Sequence, residues 1–292
     1  MPDTLYKALA FDGQIRATAV VATDTVREAQ TRHDSWSAST AAMGRTIAGT
    51  LLLASNIKDD AKMTVQISGD GPAGKIVATA DGQGHVKAYV DQPHVSLEPN
   101  AQGKIDVRGA VGQNGSLSVI KDLGLGEPFQ GQVPLISGEL AEDFTYYLTV
   151  SEQTPSAVGL GVLVDTDETV INAGGWMVQV MPGATEETIS QLEIAVAQMP
   201  QLTELLSDGY GPAQVLYQLL GEDNVQLLEE SPVSFHCECS KERFAAGLAT
   251  LNSQDIQDMI DEDGGAEAVC HFCNEKYFYD EADLKAIMDE AQ

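Results

Sequence analysis

All four cysteines of this 292-residue chain fall between positions 237 and 273, in two close pairs, and no other feature restricts its folding as much. Cys237 and Cys239 stand in HCECS, and Cys270 and Cys273 in CHFCN, with 30 residues between the pairs. The opening MPDTLYKALAFDG lacks the basic-then-apolar layout of a secretory signal, and no apolar run approaches the ~18 residues that span a bilayer. A cytoplasmic protein without a membrane partner is therefore expected. Cytosolic chains rarely keep structural disulfides, so clustered cysteines there point to metal or redox chemistry. Two short-spaced pairs suit a tetrahedral ion, each pair gripping one edge at Zn–S distances of ~2.3 Å. Ligand softness and number select zinc, one ion per chain in the reduced state. His236 and His271 adjoin the cysteines, but four thiolates already fill the site. Lys241, Arg243 and Lys276 are among the few cations nearby, serving either to moderate thiolate charge or as plain surface residues.

Charge sharpens the constraint. The chain carries 44 acidic and 16 basic residues, a formal charge of −28. Such a surface repels a phosphate backbone, which argues against a nucleic-acid partner. From Gly221 onward there are 18 acidic residues and only 4 basic ones. This segment folds only if something offsets self-repulsion and a thin core.

Upstream, hydrophobic periodicity predicts strands over about Leu5–Val21 with a turn at Asp12–Gly13. It also predicts a helix from Ser35 or Ser37 to about Asn56, and strands at Met63–Ser68, Ile76–Ala80 and Val86–Val90. The stretch from Gly112 to Gly131 reads as loops and short strands. Leu140, Phe144, Tyr147 and Leu148 fall at helical spacing behind an acidic start. Val158–Val164 and Trp176–Met181 read as strands. The pattern changes at Pro182–Gly183, after which Ile189, Leu192, Val196, Met199, Leu205, Leu206, Val215, Leu216, Leu219 and Leu220 form short amphipathic helices broken by Gly and Pro. Helices under ~12–15 residues are marginal alone, so these must lie against something. The organisation expected is an α/β (α+β) N-terminal domain over residues 1–181, a helical linker over 182–230, and a small zinc-binding domain over 231–292.

A purely structural zinc is one reading of the site. The other is a redox switch. All the ligands are cysteines, so oxidation destroys the whole set, and each pair has its partner close by in sequence. Structural zinc typically supplies ~10–16 kcal/mol of apparent binding free energy, which an acidic module of this size does not replace. Loss of the module's fold would withdraw support from the helices before it and expose apolar surface, which binds other proteins.

Enzyme readings fare poorly. GLGVLV (Gly159–Val164) lacks the third glycine of a dinucleotide loop and reads as a close-packed strand. No phosphate-binding G-x-x-x-x-G-K-[ST] sequence is present. His33, Asp34 and Ser35 are contiguous, which is not triad geometry. Trp36 and Trp176 read as core or interface residues. A thiol oxidoreductase built on Cys270 and Cys273 is the serious rival, although such motifs normally follow a βαβ pattern. A zinc ribbon for nucleic acid is opposed by the acidic tail.

Two stretches, FHCECSKERF (Phe235–Phe244) and AVCHFCNEKYFY (Ala268–Tyr279), resemble the 33 kDa chaperonin family, the redox-regulated heat-shock holdases of bacteria. Supporting stretches are IKDLGLGEPFQGQVPLISGELAEDFTYYL (from Ile120), SEQTPSAVGLGVLV (from Ser151) and AGGWMVQVMPGA (from Ala173), and the resemblance extends over essentially the whole chain. It implies an N-terminal α/β domain, a metastable helical linker and a C-terminal zinc domain. It further implies a non-enzymatic chaperone, inactive while reduced and zinc-bound. Oxidation would release zinc, form the disulfides Cys237–Cys239 and Cys270–Cys273, unfold the linker and favour a dimer. The active form would hold unfolded client proteins under oxidative and heat stress without ATP.

Overall fold

The N-terminal alternation folds as a hairpin of β1 (Thr4–Ala10) and β2 (Ile15–Val21). Its tight turn places Phe11, Asp12 and Gly13 at positive φ. This computed structural model describes residues 2–58, 61–124 and 126–290; Leu125, in the stretch expected to form loops and short strands, lies outside it. Two compact units result, residues 1–236 and 237–292.

In the first unit α1 (Thr23–His33) and α2 (Ser37–Ala54) follow the hairpin. Then come β3 (Lys62–Ser68), β4 (Lys75–Asp81), β5 (His85–Val90), the short α3 (Val107–Val111), β6 (Ser116–Asp122) and β7 (Phe129–Pro134). After α4 (Ala141–Val150), β8 (Ser156–Val164) and β9 (Val170–Val180) form a second hairpin. Three short helices follow: α5 (Glu186–Gln198), α6 (Leu202–Ser207) and α7 (Pro212–Leu220). The helical pattern stops there, and residues expected to belong to a helical segment instead form a strand, β10 (Val225–Pro232), before the two-residue β11 (Ser234–Phe235). Gly221 at φ +82° and Val225 in extended backbone turn the chain out of the helix.

Two sheets organise these elements. The first is antiparallel, in the order β10-β1-β2-β9-β8, and the second runs β11-β5-β4-β3-β6-β7. Among the described residues only the β11–β5 pairing is parallel. Between the sheets lies α2, which packs against strands of both. Its sequence, SASTAAMGRTIAGTLLLA, is apolar or small all round except at Arg45, the signature of a helix buried on nearly every side. Deep in the helix the hydroxyls need no outside partner, because Thr46 and Thr50 donate to the carbonyls of Ala42 and Thr46, at 2.9 and 2.7 Å, whereas nearer its start Ser39 donates to Gln92 O at 2.7 Å. Small residues also let neighbours close in. A Cβ on Gly49 would sit 2.4 Å from the Phe144 ring. Gly49→Ala is therefore expected to lose about 1–3 kcal/mol of stability through overpacking, measured as a drop in the thermal midpoint. An unchanged midpoint would mean the ring has room to move.

Each face of the first sheet has its own core. One face shares the main core with α2 and the second sheet. The opposite face, built from Ala8, Ala10, Ile15, Ala17, Ala19, Trp176 and Val178, is covered by Leu192 of α5, Leu202 of α6, and Val215, Leu216, Leu219 and Leu220 of α7. The short amphipathic helices thus find the support their length demands. Gly159 of GLGVLV packs as a close-contact strand residue, since a Cβ there would lie 2.3 Å from the Trp176 indole.

A buried carboxylate fixes the entry to α4. Asp143 is fully buried and accepts from the backbone N–H groups of Ile136 at 2.7 Å and of Ser137, Gly138 and Leu140 at 3.0 Å each. The Ser137 hydroxyl adds a fifth bond at 3.2 Å. This loop contains two left-handed residues, Gly138 and the non-glycine Leu140 at φ +72°, so the carboxylate holds a turn that the chain would not adopt unaided.

The second unit comprises α8 (Lys241–Leu248), α9 (Ser253–Asp263), the hairpin β12 (Gly265–Val269) and β13 (Lys276–Asp280), and α10 (Glu281–Glu290). Ser240 and Asn252 cap the first two helices, accepting from Arg243 N–H and Asp255 N–H. Gly264, at φ +69°, terminates α9 in the left-handed conformation that favours glycine. The core here is small: Ile256, Ile260, Tyr279, Leu284 and Ile287.

Candidate metal centre

The CHFCN segment is the tip of the β12–β13 hairpin. Cys270 follows β12 directly, its N–H bonded to Glu275 O at 2.9 Å, while Asn274 N–H returns to Cys270 O at 2.8 Å. Asn274 takes φ +56°, a left-handed position that Asn tolerates better than most residues. This turn points both cysteines of the pair inward, and both are buried. The other pair comes from the loop ahead of α8, where Cys237 and Cys239 are half-buried. Ser240 caps the helix one residue after Cys239, which fixes where that loop ends.

All four Sγ atoms lie within 4.8 Å of one another, and none is disulfide-bonded. Cys237 and Cys270 approach to 3.7 Å, and Cys239 and Cys273 to 3.2 Å. A tetrahedral site with Zn–S bonds of ~2.3 Å has sulfur–sulfur edges of about 3.8 Å, which falls between the shorter of these separations, 3.2 Å, and the 4.8 Å that encloses the whole set. The donor set thus fits a four-coordinate soft-ligand ion. Neither His236 nor His271 belongs to the cluster. The His236 ring instead stands 4.8 Å from that of His85, within the first unit.

Electrostatics shows why such a cluster calls for a cation. Burial pushes the thiols of Cys237 and Cys273 upward, toward the neutral form. Burial also acts on Cys239, but the Tyr277 hydroxyl and the neighbouring sulfurs outweigh it and bring that thiol below its ordinary value. The Tyr277 Oη lies 3.2 Å from Cys239 Sγ and 3.1 Å from its carbonyl oxygen, and this contact with sulfur pushes the phenol upward. Four thiolates at these distances would repel strongly without a positive charge between them. The nearby cations do not supply it. Lys241 pairs with Asp283 at 2.7 Å, Lys276 with Glu267 at 3.1 Å, and Arg243 stands 3.8 Å from Glu238. Tyr277 is the functional residue that sequence reasoning missed; its position four residues after Cys273, on the far strand of the hairpin, was the available signal.

Other sequence candidates are placed elsewhere. His33 Nε2 lies 2.9 Å from the Ala88 carbonyl and Ser35 Oγ lies 2.7 Å from Thr40 Oγ1, so these two are engaged separately and form no triad. Trp176 is buried, whereas Trp36 is exposed and its ring lies 5.1 Å from that of His94. Among the described residues no helix is long and apolar enough to cross a membrane.

Comparison with known proteins agrees with this architecture. Residues 3–280 match the family model described as "Hsp33 protein". The chain is 58% identical to the 33 kDa chaperonin of Enterococcus faecalis, covering 100% of this chain and 98% of that protein. It is 55% identical to the 33 kDa chaperonin of Latilactobacillus sakei, covering 99% and 100%. The crystal structure of the 33 kDa chaperonin (heat shock protein 33 homolog) from Thermotoga maritima superposes with a TM-score of 0.93 at 35% identity, covering 99% of each chain. With both sheets, the linking helices and the four-cysteine unit inside that match, the chain belongs to the Hsp33 family of chaperones.

Proposed function

We propose that this protein is an ATP-independent holdase switched by oxidation of Cys237, Cys239, Cys270 and Cys273, which hold one zinc ion in the reduced, inactive state. The observation that carries the reading is the convergence of all four sulfurs within 4.8 Å, in a unit whose core holds, among the described residues, five buried hydrophobic side chains with partly buried ones around them. That unit also bears 14 acidic residues against 4 basic ones. When bound, zinc would supply the positive charge that keeps four thiolates together and ties the loop before α8 to the β12–β13 turn. Oxidation withdraws those donors. In each pair, Cys237 with Cys239 and Cys270 with Cys273, two thiols form one S–S bond and give two electrons and two protons to peroxide, which becomes two waters. Sulfurs so close need only local rearrangement to pair within their own loops.

The remainder of the switch rests on the second core. The helices of residues 182–220 cover the apolar face of β1, β2 and β9 as a layer separate from the main core. We assign residues 1–181 as the folded platform, 182–230 as the releasable segment and 231–292 as the sensor. Release of the middle segment bares an apolar sheet face to unfolded clients. We place this action in the cytoplasm, with a second copy of the chain as a partner after activation through exchange of the linker. No catalytic turnover, nucleic acid or membrane enters the mechanism.

The test is light scattering from a thermally unfolding enzyme without ATP. Protein pretreated with peroxide under mild heat is expected to suppress aggregation, and reduced zinc-loaded protein is not. Equal suppression by both forms would make the metal purely structural and the protein a constitutive binder. Suppression by neither would sink the holdase reading.

A further inference from the structure

We propose that the open edge of β8 is a groove for an extended peptide carrying an acidic side chain. As the outer strand of its sheet, β8 pairs on one side only, with β9. In an antiparallel ladder, alternate residues turn both backbone groups toward the same neighbour. The Val158 N–H donates outward to Thr145 Oγ1 on α4 at 3.1 Å, so residues of the same parity, Leu160 and Val162, also face away from β9. Beyond the α4 contact, no backbone partner meets their outward N–H and C=O groups among the described residues. Native sheets normally cover or blunt such an edge. Here it borders a cavity of about 330 Å³, within the ~300–1,000 Å³ range of ligand clefts.

Charge identifies the occupant. Among the described residues no Asp or Glu lines the cavity, although the chain carries −28, and Arg45 and Lys104 both do. One guanidinium nitrogen of Arg45 donates to the Glu139 carbonyl and carboxylate at 2.8 Å each, while its Nε is buried with no partner among the described residues. A buried orphan donor costs about 1–3 kcal/mol, so the hydrogen-bonding capacity of this guanidinium is not used up by Glu139. The Lys104 ammonium is held by the Gln201 amide rather than by a carboxylate. A strand added to Leu160 and Val162 would take up the free backbone groups, its apolar side chains would meet the cavity wall, and its carboxylate would reach the two cations. A small carboxylate would satisfy the cations and leave the edge unpaired.

Every residue of this groove lies between positions 41 and 203, and the test uses reduced protein, in which the 182–230 segment is in place, so its failure would leave the redox reading untouched. The experiment is fluorescence anisotropy with reduced full-length protein and a labelled, end-blocked peptide, Thr-Val-Glu-Val-Thr, against the same peptide with Lys at its centre. The Glu peptide is expected to bind at least tenfold more tightly, with affinity falling as salt rises. Lys104→Glu is expected to lose at least tenfold. So is Leu160→Pro, which removes an outward N–H without touching a bond to β9. Should Leu160→Pro misfold by circular dichroism, Lys104→Glu and the salt dependence decide. Equal binding of both peptides, wild-type affinity in Lys104→Glu, or displacement by hexanoate at the peptide's own affinity would overturn the proposal.

Discussion

Stripping zinc from the reduced protein with a strong chelator is expected to unfold residues 237–292 while the platform of residues 2–181 keeps its structure. A structural zinc contributes roughly 10–16 kcal/mol of apparent binding free energy, which matches or exceeds the ~5–15 kcal/mol that stabilises a whole domain. Against that loss the second unit sets Ile256, Ile260, Tyr279, Leu284 and Ile287, one small cluster under an acidic surface. The readout is amide hydrogen exchange. Protection in α9, α10 and the β12–β13 hairpin should collapse by several orders of magnitude, while α2 and the strands around it keep theirs. Cys270→Ser should reproduce the collapse without chelator, because it removes one donor from the hairpin turn that positions two of them. Retained protection after verified metal loss would show that the small core suffices, and the folding-switch account would fail with it.

Asp143→Ala is expected to be the most damaging single substitution outside the cysteines. The change strands four backbone N–H donors at once, those of Ile136, Ser137, Gly138 and Leu140. At about 1–3 kcal/mol for each truly buried orphan, with partial relief from solvent at the half-buried ones, a loss of about 3–5 kcal/mol follows. For a domain of this size that lowers the thermal midpoint by roughly 6–20 °C. Asp143→Asn separates charge from geometry, because its amide keeps one accepting oxygen and turns the other position into a donor facing N–H groups. It should recover less than half of the loss. A midpoint within 2 °C of wild type, or roughly 0.5–1 kcal/mol, for Asp143→Ala would mean the loop finds other partners.

Much of this was legible in the chain, for reasons that differ by element. The central helix α2 and the hairpins β1–β2, β3–β4 and β8–β9 announce themselves by local periodicity, which acts over a few residues. The cysteine cluster was legible because thiol chemistry and spacing leave few alternatives. What sequence reasoning did not supply was long-range pairing. Nothing local in VQLLEESP says that it joins β1, a partner fixed by contacts such as Lys7 with Glu229 across 222 residues. Nor does a two-residue strand such as Ser234–Phe235 carry a pattern; its place beside β5 depends on Ser234 N–H meeting Gly84 O and His236 N–H meeting Val86 O. The helix α1 escaped notice because TDTVREAQTRH is mostly polar, with only Val26 and Ala29 as buried aliphatic residues.

The position of β1 between β2 and β10 has a consequence for how the chain is made. The ribosome completes β1 at Ala10 and does not reach β10 until Val225. At about 5–20 residues per second, one edge of β1 waits roughly 10–45 s for its neighbour. Throughout that interval the nascent protein presents an unpaired strand edge to its surroundings. It is then, for a while, the kind of incomplete sheet that a chaperone would recognise in others.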